Sequence, residues 1–296
     1  MIILNIYGGI GNQLFQYSFA RLLSEVCHHE VYVNKAGLKL RNDYHGDYLF
    51  DLIDKSEVKE INSVFLALLI KVFVKLCKMI GAYQKDEDGD ELFNKLITKG
   101  LFFSQKRIPQ IENINSIDCQ KKVLMVDGYY QWPSAMGGQL QSLAKKLRFS
   151  SEIQSEFKHM YNMHRGKMVC LHIRRGDYLQ FPQLQVCDEN YFSKSIVYIK
   201  EQVSEAFFIV FSDDIEWVRT NYHLNADVYY FHGDSALDDF LCMTGCDHFI
   251  ISNSTFSWWA QMLSGKENRI VVSPSKWYQD GRTTDLILEN FHIIEC

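Results

Sequence analysis

Beyond residue 166, short apolar runs alternate with amphipathic segments, and this alternation limits the folds open to the chain more than any other feature. Runs suited to strands are Met168–Ile173, Phe207–Phe211, Val228–Phe231, His248–Ile251 and Ile270–Val272. Between them the helical spacing of apolar residues predicts helices over Glu189–Glu205, Ile215–Tyr222, Ala236–Thr244 and Thr255–Leu263. Strands that alternate with helices build an α/β domain with a doubly wound, mostly parallel sheet covered on both faces. Ligands of such sheets bind just beyond the carboxyl ends of the strands. Chemistry is therefore sought in the residues that follow each apolar run.

The first run changes abruptly from Met168–Leu171 into His172, Arg174, Arg175 and Asp177, with Gly176 as the turn residue. Guanidinium forks suit phosphate oxygens because planar donors bind two oxygens at once. Taken alone, Arg-Arg-x-Asp reads equally well as a solvated loop with an internal ion pair; the buried strand ahead of it favours a phosphate site. Phe211 is followed by Ser212-Asp213-Asp214, where one aspartate can cap the next helix and the other can accept from guanine or ribose. Asp247 has the same two readings. Ser252, Asn253, Ser254 and Thr255 stand between a strand and a helix, followed by Phe256. They offer side-chain donors and helix N-terminal amides to a diphosphate, or else an over-supplied helix cap. Trp258 and Trp259 read as core.

The first half opens with a strand at Ile2–Tyr7, the turn Gly8-Gly9-Ile10-Gly11-Asn12-Gln13, and a helix over Gln13–Cys27 with Phe15, Phe19, Leu22 and Val26 on one face. The glycines place backbone amides where an anion can approach. This is not a dinucleotide fingerprint: Leu14 stands at the third glycine, and the next strand, Val31–Val33, ends in Asn34 and Lys35 without a ribose-binding acid. Asn12 and Gln13 suggest ligand contact rather than a bare turn. Residues 34–63 read as irregular, with His45-Gly46-Asp47-Tyr48 as an exposed loop near a cleft, and 84–91 as a solvated acidic loop. A strand at Val123–Val126 leads into Asp127-Gly-Tyr129-Tyr130-Gln131-Trp132, whose aromatics, amide and carboxylate suit a sugar-binding wall or, equally, an interface or core. A polar helix at Glu152–Tyr161 marks the boundary between domains 1–160 and 161–296.

A chain of 296 residues can hold two cores. Its net charge of −5 argues against nucleic acid as a partner. Eight cysteines without a CxxC pair are expected to be reduced thiols of a cytoplasmic protein, with no metal site. The N-terminus reads as a strand rather than a signal peptide. No apolar stretch reaches membrane-spanning length; the nearest, Val64–Ile80, is interrupted by Lys71, Lys75 and Lys78 on one helical face. Such a helix packs into a core, or it lies on an acidic membrane surface. Neither a GxxxxGK[ST] phosphate loop nor a GxSxG elbow is present. Asp86-Glu-Asp88 spells DxD but follows no strand.

Four segments in this order, Gly8–Gln16, His172–Tyr178, Phe211–Asp214 and Asn253–Trp259, resemble the bacterial α-1,2-fucosyltransferases of glycosyltransferase family 11, and Pro274–Tyr278 also fits. The resemblance implies a GT-B-like fold of two Rossmann-like domains facing a cleft. It also implies GDP-β-L-fucose as co-substrate, a galactose-terminated oligosaccharide or lipid-linked glycan as acceptor, and inversion without a metal or other cofactor. Catalytic roles would fall to Arg174, assisted by Arg175, with Asp177 nominated as base and Asp47 or Asp127 as substitutes. The donor would meet His172, Asp213, Asp214, Asp247 and residues 253–256, with Gly9, Ile10, Gly11 and Asn12 closing over it from the first domain. Asp47, Asp127, Tyr129, Gln131 and Trp132 are the acceptor candidates. The expected role is surface glycan assembly, such as O-antigen, in the cytoplasm or on the inner membrane face through 64–80. Two other readings fit the residues less well. A sugar-nucleotide epimerase or reductase needs the dinucleotide turn that Leu14 spoils. A non-catalytic nucleotide-binding module leaves unexplained the charge at several strand ends.

Overall fold

The computed structural model describes residues 1–39, 46–53, 58–79, 102–104, 123–134, 136, 137, 140, 143 and 166–296. The chain forms two compact units, Met1–Leu140 and Gln141–Cys296. The boundary expected at 160/161, the helix at 152–161 and the acidic loop at 84–91 lie outside the described residues.

The first unit is a parallel sheet of β1 (Ile2–Asn5), β2 (Val31–Asn34), β3 (Lys59–Ile61), β4 (Phe102–Ser104) and β5 (Leu124–Asp127), in the order β3-β2-β1-β5-β4. Every residue of β1 is buried, as a central parallel strand requires. After Gly8, whose φ of 78° favours glycine, α1 (Ile10–Cys27) returns over the sheet. It starts three residues earlier than expected, so Ile10, Gly11 and Asn12 form its first turn. Its inner line runs through Leu14, Phe15, Phe19, Leu23 and Cys27, because the 3.6-residue repeat drifts away from Leu22 and Val26. Cys27 is disulfide-bonded, which corrects the expectation of reduced thiols throughout; its partner lies outside the described residues.

Residues 34–63, expected to be irregular, hold α2 (Ala36–Lys39), α3 (Leu49–Leu52) and β3. These elements are three or four residues long, and β3 is an edge strand with two exposed charged residues, so neither shows a readable periodicity. The helix α4 (Val64–Met79) forms as predicted.

The second unit is a six-stranded parallel sheet of β6 (Lys167–Ile173), β7 (Ala206–Ser212), β8 (Val228–Tyr230), β9 (His248–Ile250), β10 (Val271–Pro274) and β11 (His292–Ile294). Four helices, α5 (Glu189–Gln202), α6 (Ile215–Asn221), α7 (Ala236–Gly245) and α8 (Thr255–Leu263), connect the strands. Expected strands and helices all form, and β11 is an additional strand at the sheet edge, parallel to β10. Trp258 and Trp259 are fully buried, as core residues should be.

Strand order decides where a ligand can bind. In β11-β10-β9-β6-β7-β8 the chain leaves β6 towards β7 and β8, then returns to β9 on the other side. The connections after β6 and β9 therefore leave for opposite sides of the sheet, and such a switch point is where ligands of open α/β sheets bind. In the first unit the same reversal falls between β1 and β5.

Candidate active site

At the switch point of the second unit, β6 delivers His172, Arg174 and Asp177 beside the 252–256 turn. Ser252 locks the two loops together: its Oγ donates to the His172 carbonyl at 2.6 Å and accepts from the Arg174 amide at 3.1 Å. The Tyr178 hydroxyl donates to the Asn253 carbonyl at 2.9 Å, and the His172 ring stacks on Phe256 with centroids 5.6 Å apart. Ser254 caps α8 by accepting from the Phe256 amide. Thr255 and Phe256 remain half-buried at the helix start.

Arg174 is held by two carboxylates. Its Nη2 lies 2.6 Å from Asp177 Oδ1 and its Nη1 lies 3.1 Å from Asp213 Oδ2. Burial opposes its charge, but Asp213 and Asp177 outweigh that and hold its pKa above the ordinary arginine value. Its Nε is buried with no hydrogen-bond partner in the protein, and so is His172 Nδ1. Buried donors rarely go unpaired outside functional sites. Burial, and then the charge of Arg174, push the His172 pKa down to about 3, so the imidazole is neutral at physiological pH.

Gly176 explains itself by what a side chain would meet: a Cβ there would stand 2.1 Å from Asp213 Oδ2. The glycine lets the backbone pass close to that carboxylate, which also accepts from the Arg175 amide at 2.8 Å. The Arg175 guanidinium, expected to assist at phosphate, lies 3.1 Å over the Trp217 ring and donates from Nε to Asp214. It braces α6 against the β6 loop. Asp213 is engaged by Arg174 and the Arg175 amide, and Asp214 through Oδ2 by Arg175.

Two residues expected at the donor have side chains engaged within the protein. Asp247 precedes β9 and binds the Met168 amide and Lys266, at the amino ends of the strands and not at the switch point. Asn253 donates both amide hydrogens to the Leu184 and Trp277 carbonyls; its side chain is a buried strut.

In the first unit, the loops after β1 and β5 meet across their own switch point, where Gln131 Nε2 donates to Asn12 Oδ1 at 3.0 Å. Tyr130, in the left-handed region at φ 51°, stacks on Phe19 and turns the chain so that Gln131 and Trp132 follow at this edge. Tyr129 packs edge-on against Tyr7. No Cβ contact would obstruct Gly9, the helix cap. Gln13 is a different matter. It donates to the Gly8 and Gly46 carbonyls and accepts from the Tyr48 and Leu49 amides, which uses its full capacity and corrects the expectation that it meets ligand. That clamp sets Asp47, whose Oδ2 pairs with Lys35 at 2.7 Å while its Oδ1 is buried without a partner. Burial disfavours the Lys35 charge, yet Asp47 and Glu60 together raise its pKa. The Asp127 side chain and His45 lie outside the described residues.

Sequence reading missed Ser252 as a lock, Trp217 as the seat of Arg175, and Lys35 as the partner of Asp47. Of these only Ser252 carried a signal, since it heads the hydroxyl-rich turn.

A model of the family described as "Glycosyl transferase family 11" matches residues 109–295, from before β5 through the whole of the second sheet. The chain belongs to glycosyl transferase family 11. Family membership removes the epimerase and non-catalytic readings. Across nearly its full length the chain is similar to two Escherichia coli proteins. It is 27% identical to the O-antigen biosynthesis glycosyltransferase WbnK, over 96% of this chain and 97% of that one. It is 26% identical to an alpha-1,2-colitosyltransferase, over 94% and 93%. A shorter match, 32% identical over 34% of this chain and 32% of the other, is to galactoside alpha-(1,2)-fucosyltransferase 2 of Gorilla gorilla gorilla. Among solved structures, the fucosyltransferase NodZ from Bradyrhizobium superposes with a TM-score of 0.54 at 13% identity, covering 88% of this chain and 92% of that one. This family 11 chain thus has the GT-B fold, two α/β units with mostly parallel sheets. Among the described residues no cluster of three or more His, Cys, Asp or Glu is placed to hold a metal, and no helix is long and apolar enough to cross a membrane.

Proposed function

We propose that this family 11 glycosyltransferase moves L-fucose from GDP-β-L-fucose to the 2-hydroxyl of a β-galactoside, with inversion and without a metal, in the assembly of a surface glycan such as O-antigen. One observation carries the reading: two buried polar nitrogens, the Arg174 Nε donor and His172 Nδ1, lack partners at the switch point of the second sheet, where a nucleotide diphosphate is expected to sit. The names of the relatives support the sugar and the linkage.

In this mechanism the bond between C1 of fucose and the β-phosphate oxygen breaks and the acceptor O2 bonds to C1. Negative charge collects on the departing diphosphate. Arg174, pre-oriented by Asp177 and Asp213, and the amides at the start of α8 stabilise that charge without reorganising, which is usually the largest catalytic contribution. Arg175 acts as a positioning residue through Asp214 and Trp217. Asp177, two-fifths exposed and bound to Arg174 through one oxygen, takes the acceptor proton. The edge with Asp47, Gln131 and Trp132 holds the acceptor sugar.

The colitosyltransferase likeness over nearly the whole chain supports a second donor reading at the same site, with the dideoxy sugar in place of fucose. Incubation of the purified protein with each GDP-sugar and a β-galactoside separates the two. Product with an α-1,2 linkage from GDP-fucose, undiminished by EDTA, is expected. Transfer to another hydroxyl, or dependence on added metal, refutes the corresponding part. Arg174→Lys is expected to lower kcat by about 10²–10³-fold with the melting temperature unchanged; wild-type turnover in that variant refutes the site.

A further inference from the structure

The longest exposed apolar feature among the described residues is one side of α4. Phe65 is 76% exposed, and Val64, Leu68, Leu69 and Val72 are exposed as well. Positions 65, 68, 69 and 72 follow the i, i+3, i+4, i+7 spacing of a single helical stripe. Among the described residues, five of the eleven large exposed apolar side chains fall within these nine positions, so this is a patch rather than ordinary scatter. The helix is nevertheless seated in the unit by another side: Ala67 is buried and α4 packs on α2. Lys75 is exposed, the sequence spacing of Lys71, Lys75 and Lys78 puts them on one helical face, and no acidic residue occurs in Val64–Met79.

The start of α4 is fixed in place by the sheet. Asn34, the last residue of β2, donates to the Ser63 carbonyl at 3.2 Å and accepts from the Ser63 amide at 3.1 Å. Phe65 therefore stands at the carboxyl edge of this sheet, the edge that also carries the Lys35–Asp47 pair and the Asn12–Gln131 bond.

We propose that α4 docks the protein on an anionic lipid bilayer, with the apolar stripe entering the interface and the lysines meeting acidic headgroups. The combination of exposed Phe, Leu and Val with an all-basic charge pattern is what an interfacial helix needs. A second copy packed antiparallel on the same face by two-fold symmetry would bring two lysine rows together, which disfavours that occupant. The chain as a whole carries −5, so attraction to acidic lipid must come from this local patch. Docking here places the acceptor edge beside the membrane, where a lipid-linked glycan is presented. The purpose rests on the acceptor reading given above; the test does not, because it uses neither donor nor acceptor.

The experiment is flotation of the full chain with vesicles of phosphatidylcholine alone and of phosphatidylcholine with phosphatidylglycerol, at low and high salt. Binding is expected only to the anionic vesicles, weakened by salt. The double variant Phe65→Ser/Val72→Ser is expected to lose about tenfold or more of that binding. Lys75→Glu is expected to lose about fivefold. Both should keep the far-UV circular dichroism and melting temperature of the wild type, which shows that the fold persists. Absence of binding at low salt overturns the proposal, as does equal binding by the double variant. A shift of that variant from dimer to monomer overturns it in favour of a contact between copies.

Discussion

Arg174 illustrates how much a single side chain depends on neighbours distant in sequence. Its two carboxylate partners come from the turn after β6 and from the end of β7, and the second is reachable only because residue 176 is glycine. Gly176→Ala would drive a methyl group into Asp213. Loss of one charged hydrogen bond costs about 1.5–3 kcal/mol, so the melting temperature is expected to fall by about 5 °C and kcat/KM to fall with it as Arg174 loses one of its two anchors; unchanged kcat/KM would show that Asp213 does not orient the arginine. His172 gives a pH signature. Its folded pKa of about 3 lies below the unfolded 6.5, so between these values the unfolded chain binds a proton that the folded chain refuses. Stability is therefore retained above pH 6.5 and lost as pH falls towards 3, by up to about 1.4 kcal/mol per pH unit. Chemical denaturation at stepped pH should show this acid limb, and His172→Phe should flatten it. The motif around His172 was legible as a charged strand end; the opposed fates of its two arginines were not, since Trp217 lies far along the chain.

Among the elements, those with a full period of apolar residues were legible and those without were not. Helices α5 to α8 and strands β6 to β10 lie in apolar runs or helical repeats that name their type, whereas β3 carries two charged residues in three and β11 holds only two apolar residues, between His292 and Glu295. The turn before α1 lies between these cases: its glycines announced a strand-to-helix connection, but Gln13 was misread as ligand-facing. An amide side chain looks the same in sequence whether it binds a sugar or a backbone 33 residues away. Gln13→Leu should strand the Gly46 carbonyl and the Tyr48 and Leu49 amides. A loss of about 2–3 kcal/mol is expected, read as a lower urea midpoint, together with weaker acceptor binding as Asp47 loses its setting. A midpoint equal to wild type would show that the 46–49 loop needs no clamp.

At the scale of the molecule, each unit carries one switch point, and in each the polar residues crowd there. The second unit is the proposed donor side. GDP at about one hundred times its Kd should stabilise the chain by about 2.7 kcal/mol, which for a chain of this size raises Tm by about 5 °C. NAD should leave Tm unchanged, and protection from hydrogen exchange on adding GDP should centre on 172–178 and 252–256. Protection confined to the first unit would reverse the proposed division of labour.

The amino-acid sequence alone determined the α/β class, the parallel second sheet, the family and the strand ends where charge collects, because periodicity and local motifs are properties of neighbours in the chain. Tertiary structure decided which of those residues share a crevice. Asp247 fell at the amino end of its strand, Asn253 and Gln13 were drawn into buried hydrogen bonds, and Arg174 kept an unsatisfied donor. Satisfying a buried polar group is a question of what lies within about 3 Å in space, and spacing along the chain cannot answer it.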